Sequence, residues 1–315
     1  MKLFSICIIL SISALYSSLA EKSYKWEDVS GRHIDLFFNE KKIARYVYEK
    51  MKASDRERTY KPFYHLYDEK GESFVTKGPG GKFTHHRGIY FGYSKCTAKN
   101  AEGQKVSVDT WHCKRGYQTH EKILNIEANT KNAYLTSEIA WRVDDGTIFI
   151  TENRKMSFHI TKQKMLQIDF QSTLSTTQAK VSLDGDPQHA GFQFRASNEV
   201  ASKTASQTYY IRPDEGKDEM GKTKNWPQDK DMKDLKWKGQ GIMVGDQRYF
   251  TLYLDHPENP KPSYYSERDY GRFGSYFKAE VTPQKPLQVK YRLHFGTQEM
   301  DINKCSKLSK DFIAL

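Results

Sequence analysis

The densest cluster of chemistry-bearing side chains is Thr84-His85-His86-Arg87-Gly88. It follows a glycine-rich turn, Gly78-Pro79-Gly80-Gly81, and runs into Ile89-Tyr90-Phe91-Gly92. Two adjacent imidazoles and a guanidinium at a loop–strand junction can bind an anion, hold a metal ion or move protons. In an extended segment neighbouring side chains point to opposite faces, so only one of His85 and His86 is expected at a shared pocket. His86 is the candidate acid/base and Arg87 a candidate substrate contact, both positioned by a bend. Further imidazoles stand near turns: His65, His112, His120, His189 and His256. Solitary ones usually serve structure, but loops at a sandwich face bring distant turns together. His189 and His256 are therefore further acid/base candidates, and Trp111, His120 and Arg195 candidate substrate contacts. The segment Tyr264-Tyr265-Ser266-Glu267-Arg268-Asp269-Tyr270-Gly271 suits sugar recognition. Aromatic faces stack on pyranose rings while charged groups grip hydroxyls or a carboxylate. Arg268 and Tyr270 are candidate substrate contacts there. Glu267 is a candidate catalyst, with Asp255 as the second carboxylate that hydrolysis would need.

Several chemistries lack their motifs. The sequence holds no HExxH, no GxSxG, no P-loop and no Rossmann glycine pattern. No motif requires a cofactor, although the histidines could hold a divalent metal ion. The chain has 315 residues with 50 Lys+Arg against 39 Asp+Glu, a net charge of +11. A basic chain can meet nucleic acid, anionic lipid or acidic polysaccharide. Acidic residues are mixed among the lysines throughout, with no basic block or helix, so nucleic acid is not an expected partner. Carbohydrate, with acidic carbohydrate among the options, is the expected one.

These residues must be positioned by strands. Thirteen per cent of the chain is aromatic, enough to fill a core despite a mean hydropathy of −0.79. Short apolar runs recur between turns: His33 to Phe38, Ile43 to Tyr48, Gly88 to Tyr93, and on to Leu287 to Phe295. Alternation is plain in Gln167-Ile168-Asp169-Phe170-Gln171-Ser172-Thr173-Leu174, the pattern of an antiparallel strand with one wet face. The expected fold is all-β, a large antiparallel β-sandwich of about a dozen strands over residues 21–315 as a single domain. A short C-terminal helix is expected at Ser306 to Ile313. Pro213 to Lys238, with seven acidic residues and seven lysines, breaks the rhythm and reads as a long loop, either beside the site or on the surface.

The first twenty residues read as a signal peptide. Lys2 precedes an apolar run from Leu3 to Leu15, and Ser18-Leu19-Ala20 offers a cleavage site. Export to the periplasm or beyond is the expectation, with no membrane-spanning segment after it. Cys96 and Cys113 flank a polar turn and could pair across a hairpin, leaving Cys305 over.

Seven pieces carry a resemblance: Pro62-Phe63-Tyr64-His65-Leu66-Tyr67, Thr84 to Gly92, Asp109-Thr110-Trp111, Gly191-Phe192-Gln193-Phe194-Arg195, Asp255-His256-Pro257-Glu258-Asn259, Tyr270-Gly271 and Tyr291 to Gly296. In these the chain resembles the exported bacterial PmoA-like family of unknown function, labelled "methane oxygenase PmoA family". It departs where the family tends to show His-Pro-His-His-Arg-Gly, since Lys82-Phe83-Thr84 precedes His85 here. The resemblance implies an all-β exported protein found near sugar-degradation functions. The functional expectation is a hydrolase or lyase acting on a glycan in a His/Arg-lined cleft. The alternatives are a non-catalytic carbohydrate-binding protein or a His-ligated metal or redox protein.

Overall fold

The computed structural model describes residues 22–314; the expected signal peptide lies outside them. Among those residues the chain forms three antiparallel sheets. One has eight strands in the order Tyr24–Val29, His33–Phe38, Lys41–Val47, Phe63–Leu66, Ile89–Tyr93, Ala190–Arg195, Arg272–Tyr276, Tyr264–Arg268. The second has nine: Gly216–Lys217, Tyr209–Arg212, Trp237–Val244, Gln247–Asp255, Leu287–Gly296, Leu166–Ser175, Ile148–Ile160, Ala133–Val143, Gly116–Ala128. A four-stranded sheet of Ala279–Val281, Val181–Asp184, Lys95–Lys99 and Lys105–Val108 completes the set. The all-β sandwich is as expected. Its strands are more numerous, because the four-stranded sheet and the first strand are short or mixed in polarity.

The two large sheets pack face to face through aromatic rings. Phe91 meets Phe170 edge-on with centroids 5.5 Å apart, and Phe192 stacks on Tyr291 at 4.8 Å. Alternation decides which side chains reach this core: Leu166, Ile168, Phe170 and Leu174 are buried there, and their neighbours face outward. The turn between His33–Phe38 and Lys41–Val47 is two residues, Asn39 and Glu40, both at positive φ. That left-handed pair matches the twist of the flanking strands.

The C-terminal helix, Ile302–Ile313, begins a turn earlier than expected because the Asp301 carboxylate accepts from Lys304 N at 2.7 Å and caps it. It buries Cys305 and Phe312 against Trp237, Leu252 and Leu254. The charged 213–238 segment runs along the edge strand Tyr264–Arg268. Trp226 N donates to Tyr265 O, Tyr265 N to Met232 O, and Ser266 Oγ to Asn225 Oδ1. It is a cover for an otherwise open sheet edge. The expected Cys96–Cys113 pairing is not formed: Cys96, Cys113 and Cys305 are free, buried thiols. Cys96 points into the inter-sheet core, whereas Cys113 sits against Tyr60 O and Thr110 O on the other side of the sheet.

Candidate functional site

Three neighbouring strands of the eight-stranded sheet, Ile89–Tyr93, Ala190–Arg195 and Arg272–Tyr276, are buried on both faces. Their inner face carries Phe91, Phe192, Phe194 and Phe273 into the core. The outer face carries Tyr90, Gln193, Arg195 and Arg272, and three loops close over it. Tyr90 stands opposite Gln193, Gln193 opposite Gly274, and Arg195 opposite Arg272. Bulky polar side chains lie flat on this face because two positions have no Cβ. A Cβ on Gly92 would stand 2.4 Å from the Tyr90 hydroxyl oxygen, and one on Gly274 2.6 Å from Gln193 Cδ.

The first loop is clipped at its end. His86 N donates to Phe83 O, and the Arg87 guanidinium donates to Thr84 O at 2.7 Å, His86 O at 2.6 Å and Glu57 O. Arg87 is buried and lies against the Tyr60 and Phe63 rings. It therefore fixes the turn bearing His85 and His86 and does not stand at the open site. His85 and His86 lie before the strand begins at Ile89, so strand alternation does not separate them. Their rings meet edge-on at 4.5 Å.

The second and third loops are the same device built twice. In Asp109-Thr110-Trp111-His112 the Asp109 carboxylate accepts from Trp111 N and His112 N and bonds His112 Nδ1 at 2.8 Å. In Asp186-Pro187-Gln188-His189 the Asp186 carboxylate accepts from Gln188 N and bonds His189 Nδ1 at 3.0 Å. Each Asp-x-x-His turn is anchored to the sheet. Thr110 exchanges hydrogen bonds with the Tyr93 backbone, Tyr90 donates its hydroxyl to Thr110 O, and Lys61 donates to Trp111 O. Gln193 donates to Pro187 O and Ala190 O, and Arg195 donates to Gln188 O and Gln193 Oε1.

These loops bring His85, His112 and His189 together. Ring centroids are 4.5 Å apart for His85–His112, 4.9 Å for His112–His189 and 6.1 Å for His85–His189. One ring nitrogen from each lies within 4.8 Å of the other two. Three imidazoles so placed are the set of side chains here that could hold a metal ion. His86 is buried behind them, between the rings of Phe83 at 5.1 Å and Tyr270 at 5.9 Å. Burial, with Arg195 close by, pushes its pKa far below the usual imidazole value, so the ring is neutral. Burial likewise lowers Lys61 to about 7.

The charges nearby are unbalanced. Elsewhere buried arginines have carboxylates: Arg154 pairs with Glu152 at 2.7 Å, and Arg212 with Glu267 at 2.7 Å. Arg195 and Arg272 are as deeply buried, yet neither has a carboxylate within 4.0 Å among the described residues. Arg268 stands opposite Arg272 in register, so the three form a row across adjacent strands. Burial and then mutual repulsion lower Arg195 well below its usual value, and burial lowers Arg272 to about 10. The Nε atoms of both are buried without a partner. A buried cationic row without counter-charge is costly and is expected where a ligand supplies the anion.

The structure thus gathers His86, His189, Arg195, Arg268, Tyr270 and Trp111 in one region and leaves other candidates elsewhere. Trp111 is buried beneath Arg195, its ring 5.2 Å from the guanidinium, and is support more than platform. His256 is buried against Phe312 of the C-terminal helix, with ring centroids 5.2 Å apart. His120 contacts Tyr46 and Tyr48 on the opposite side of the eight-stranded sheet, lining a cleft of about 510 Å³ with Tyr117, Glu121 and Arg142. Glu267 is fully buried and bound to Arg212, and Asp255 is held by Tyr265, Asn259 and Lys261. These two carboxylates balance buried cations and do not form a hydrolytic pair. Reading the sequence by residue missed Lys61, His85, Asp109, His112, Asp186, Gln193 and Arg272. The repeated Asp-x-x-His spacing was the available signal for three of them, Asp109, His112 and Asp186.

Among solved structures, the chain is similar to a GalM/aldose epimerase homologue from C. elegans at 6% identity and a TM-score of 0.41, over 88% of this chain and 100% of that one. It is similar to a putative kojibiose phosphorylase from human microbiome at 8% identity and a TM-score of 0.29, over 86% of this chain and 35% of that one. Likeness at these scores assigns neither site nor activity. No curated protein matches the sequence. Residues 33–310 match a family model described as "Family of unknown function (DUF6807)", and the chain belongs to that family.

Proposed function

We propose that the chain is an enzyme acting on an acidic carbohydrate at the outer face of the eight-stranded sheet, by elimination in preference to hydrolysis. The observation that carries this reading is the row Arg195–Arg272–Arg268, buried or half-buried without carboxylate partners beside the neutral imidazole of His86. A uronate carboxylate supplies the missing negative charge, and the half-buried Tyr270 and Phe83 rings offer a wall for the sugar face. Once the carboxylate is neutralised by guanidinium groups, the hydrogen on the adjacent carbon becomes acidic. The bound carboxylate offsets the arginine charge that, together with burial, holds His86 neutral, so its imidazole can take that proton. The electron pair passes to the enolate held by the arginines, and the bond to the leaving oxygen breaks as the imidazolium returns the proton to that oxygen. Hydrolysis would need two facing carboxylates, and Glu267 and Asp255 are occupied elsewhere.

Export belongs to the same proposal and rests on the sequence of residues 1–20. The test is incubation with polyuronates, following ultraviolet absorbance of new unsaturated ends together with calorimetric binding. Cleavage that disappears in His86→Ala, with binding retained, supports the reading. Binding without cleavage makes the chain a non-catalytic recognition module, and no interaction with any acidic glycan removes the proposal.

A further inference from the structure

We infer that His85, His112 and His189 form a binding site for one divalent transition-metal ion of the zinc class. This does not depend on the nature of the carbohydrate. Three observations converge. The first is the placement of three ring nitrogens from three separate loops within 4.8 Å of one another. A tetrahedral zinc ion with bonds of about 2.0–2.1 Å sets its donors roughly 3.3 Å apart, a distance small side-chain rotations reach.

The second is the state of each ring. His112 and His189 have Nδ1 engaged by Asp109 and Asp186. A carboxylate on one nitrogen fixes the tautomer, orients the ring and makes the other nitrogen a stronger donor. Both turns do this with the same spacing, so the arrangement is constructed twice by local sequence. The third is His85 Nε2, which is buried without any hydrogen-bond partner. A neutral imidazole nitrogen left dry among two other imidazoles is costly unless something binds it.

Electrostatics set the conditions. Lys61 and Arg195 lie near His85 and oppose a dication, while Asp109 and Asp186 offset two positive charges. His112 and His189 keep about 27% and 31% of their side-chain surface exposed, so the ion would have an open side facing solvent. Imidazole donors with an open position suit zinc, copper, nickel or iron(II) more than magnesium or calcium, which prefer oxygen.

The experiment is equilibrium dialysis of chelator-stripped protein against zinc chloride with elemental analysis, alongside the visible spectrum after cobalt(II) addition. One equivalent bound with a tetrahedral cobalt spectrum is expected. His112→Ala and His189→Ala should each abolish stoichiometric binding, Asp109→Asn and Asp186→Asn should weaken it about 10–100-fold, and His120→Ala should leave it unchanged. Circular dichroism on each variant separates loss of ligand from loss of fold. No zinc bound by folded wild-type protein, or equal binding in folded His112→Ala, would overturn the inference. The polyuronate assay reads out separately, so a metal-free enzyme and an inactive metalloprotein are distinguishable.

Discussion

Arg272 and Arg212 are two buried guanidiniums with opposite prospects. Arg212 is bound to Glu267, Asp218 and Glu215. Arg212→Met leaves the buried Glu267 carboxylate with Lys238 at 3.6 Å as its remaining cation among the described residues and one hydrogen bond from Lys224 N. A loss of about 3–5 kcal/mol is expected in urea unfolding. Arg272 has no carboxylate, its Nη2 donating to Ser266 Oγ at 2.5 Å. Arg272→Met should therefore leave the melting temperature unchanged or raise it, while affinity for an acidic oligosaccharide falls at least about tenfold, one charge-assisted contact being lost. An arginine that served only the fold would give the reverse pattern. Residue types told part of this in advance. Arg195, Arg268, His86 and Tyr270 were legible as cationic and aromatic groups near turns. Glu267 and Arg87 were misread because a buried structural charge and a catalytic one have the same letter, and only the identity of the partner separates them.

At the scale of elements, the site depends on how the Asp186–His189 turn is clipped to the strand that follows it. Gln193 is the clip: its amide donates to Pro187 O in the turn and to Ala190 O at the start of the strand, and accepts from Arg195. Gln193→Leu removes all three bonds and leaves a buried guanidinium less satisfied. A stability loss of about 2–4 kcal/mol is expected by chemical denaturation, with zinc and oligosaccharide affinity both reduced because His189 and Arg195 move together. Strand existence was visible from alternation in Leu166–Ser175 and from apolar runs such as Ile89–Tyr93. Phe192-Gln193-Phe194-Arg195 does alternate, but alternation reads as a solvent-facing outer side, and the burial of Gln193 and Arg195 under loops from distant parts of the chain is not written in the strand. The separation of His85 from His86 failed for a related reason, since strand geometry was applied to residues that lie in a turn.

For the whole molecule, acid stability follows from histidines away from the site. His65 and His294 are buried, and burial holds each at about 3, below the usual 6.5. The unfolded chain takes up protons below pH 6.5 while the folded rings stay neutral. Their contribution is thus complete above that value and is lost as pH falls from 6.5 towards 3, by up to about 1.4 kcal/mol per pH unit for each. Urea unfolding at pH 8, 6, 5 and 4 should show a plateau and then this slope, shallower in His294→Gln. Thiol titration checks the fold independently. Cys96, Cys113 and Cys305 should be unreactive in native protein and react once it is unfolded, because burial raises all three and holds Cys113 and Cys305 at about 12.

The order of the strands also sets when the site can exist. His85 and His112 are synthesised early, His189 much later, and Arg272 only near the end of the chain. The sheet that carries them inserts Ala190–Arg195 and Arg272–Tyr276 beside Ile89–Tyr93, so its middle cannot close until those distant segments emerge. A ribosome-bound fragment that stops short of residue 272 lacks both the strand that flanks Arg195 and the glycine on which Gln193 rests. Competence at this site therefore waits on the strand Arg272–Tyr276 and is absent from any nascent fragment that ends before it.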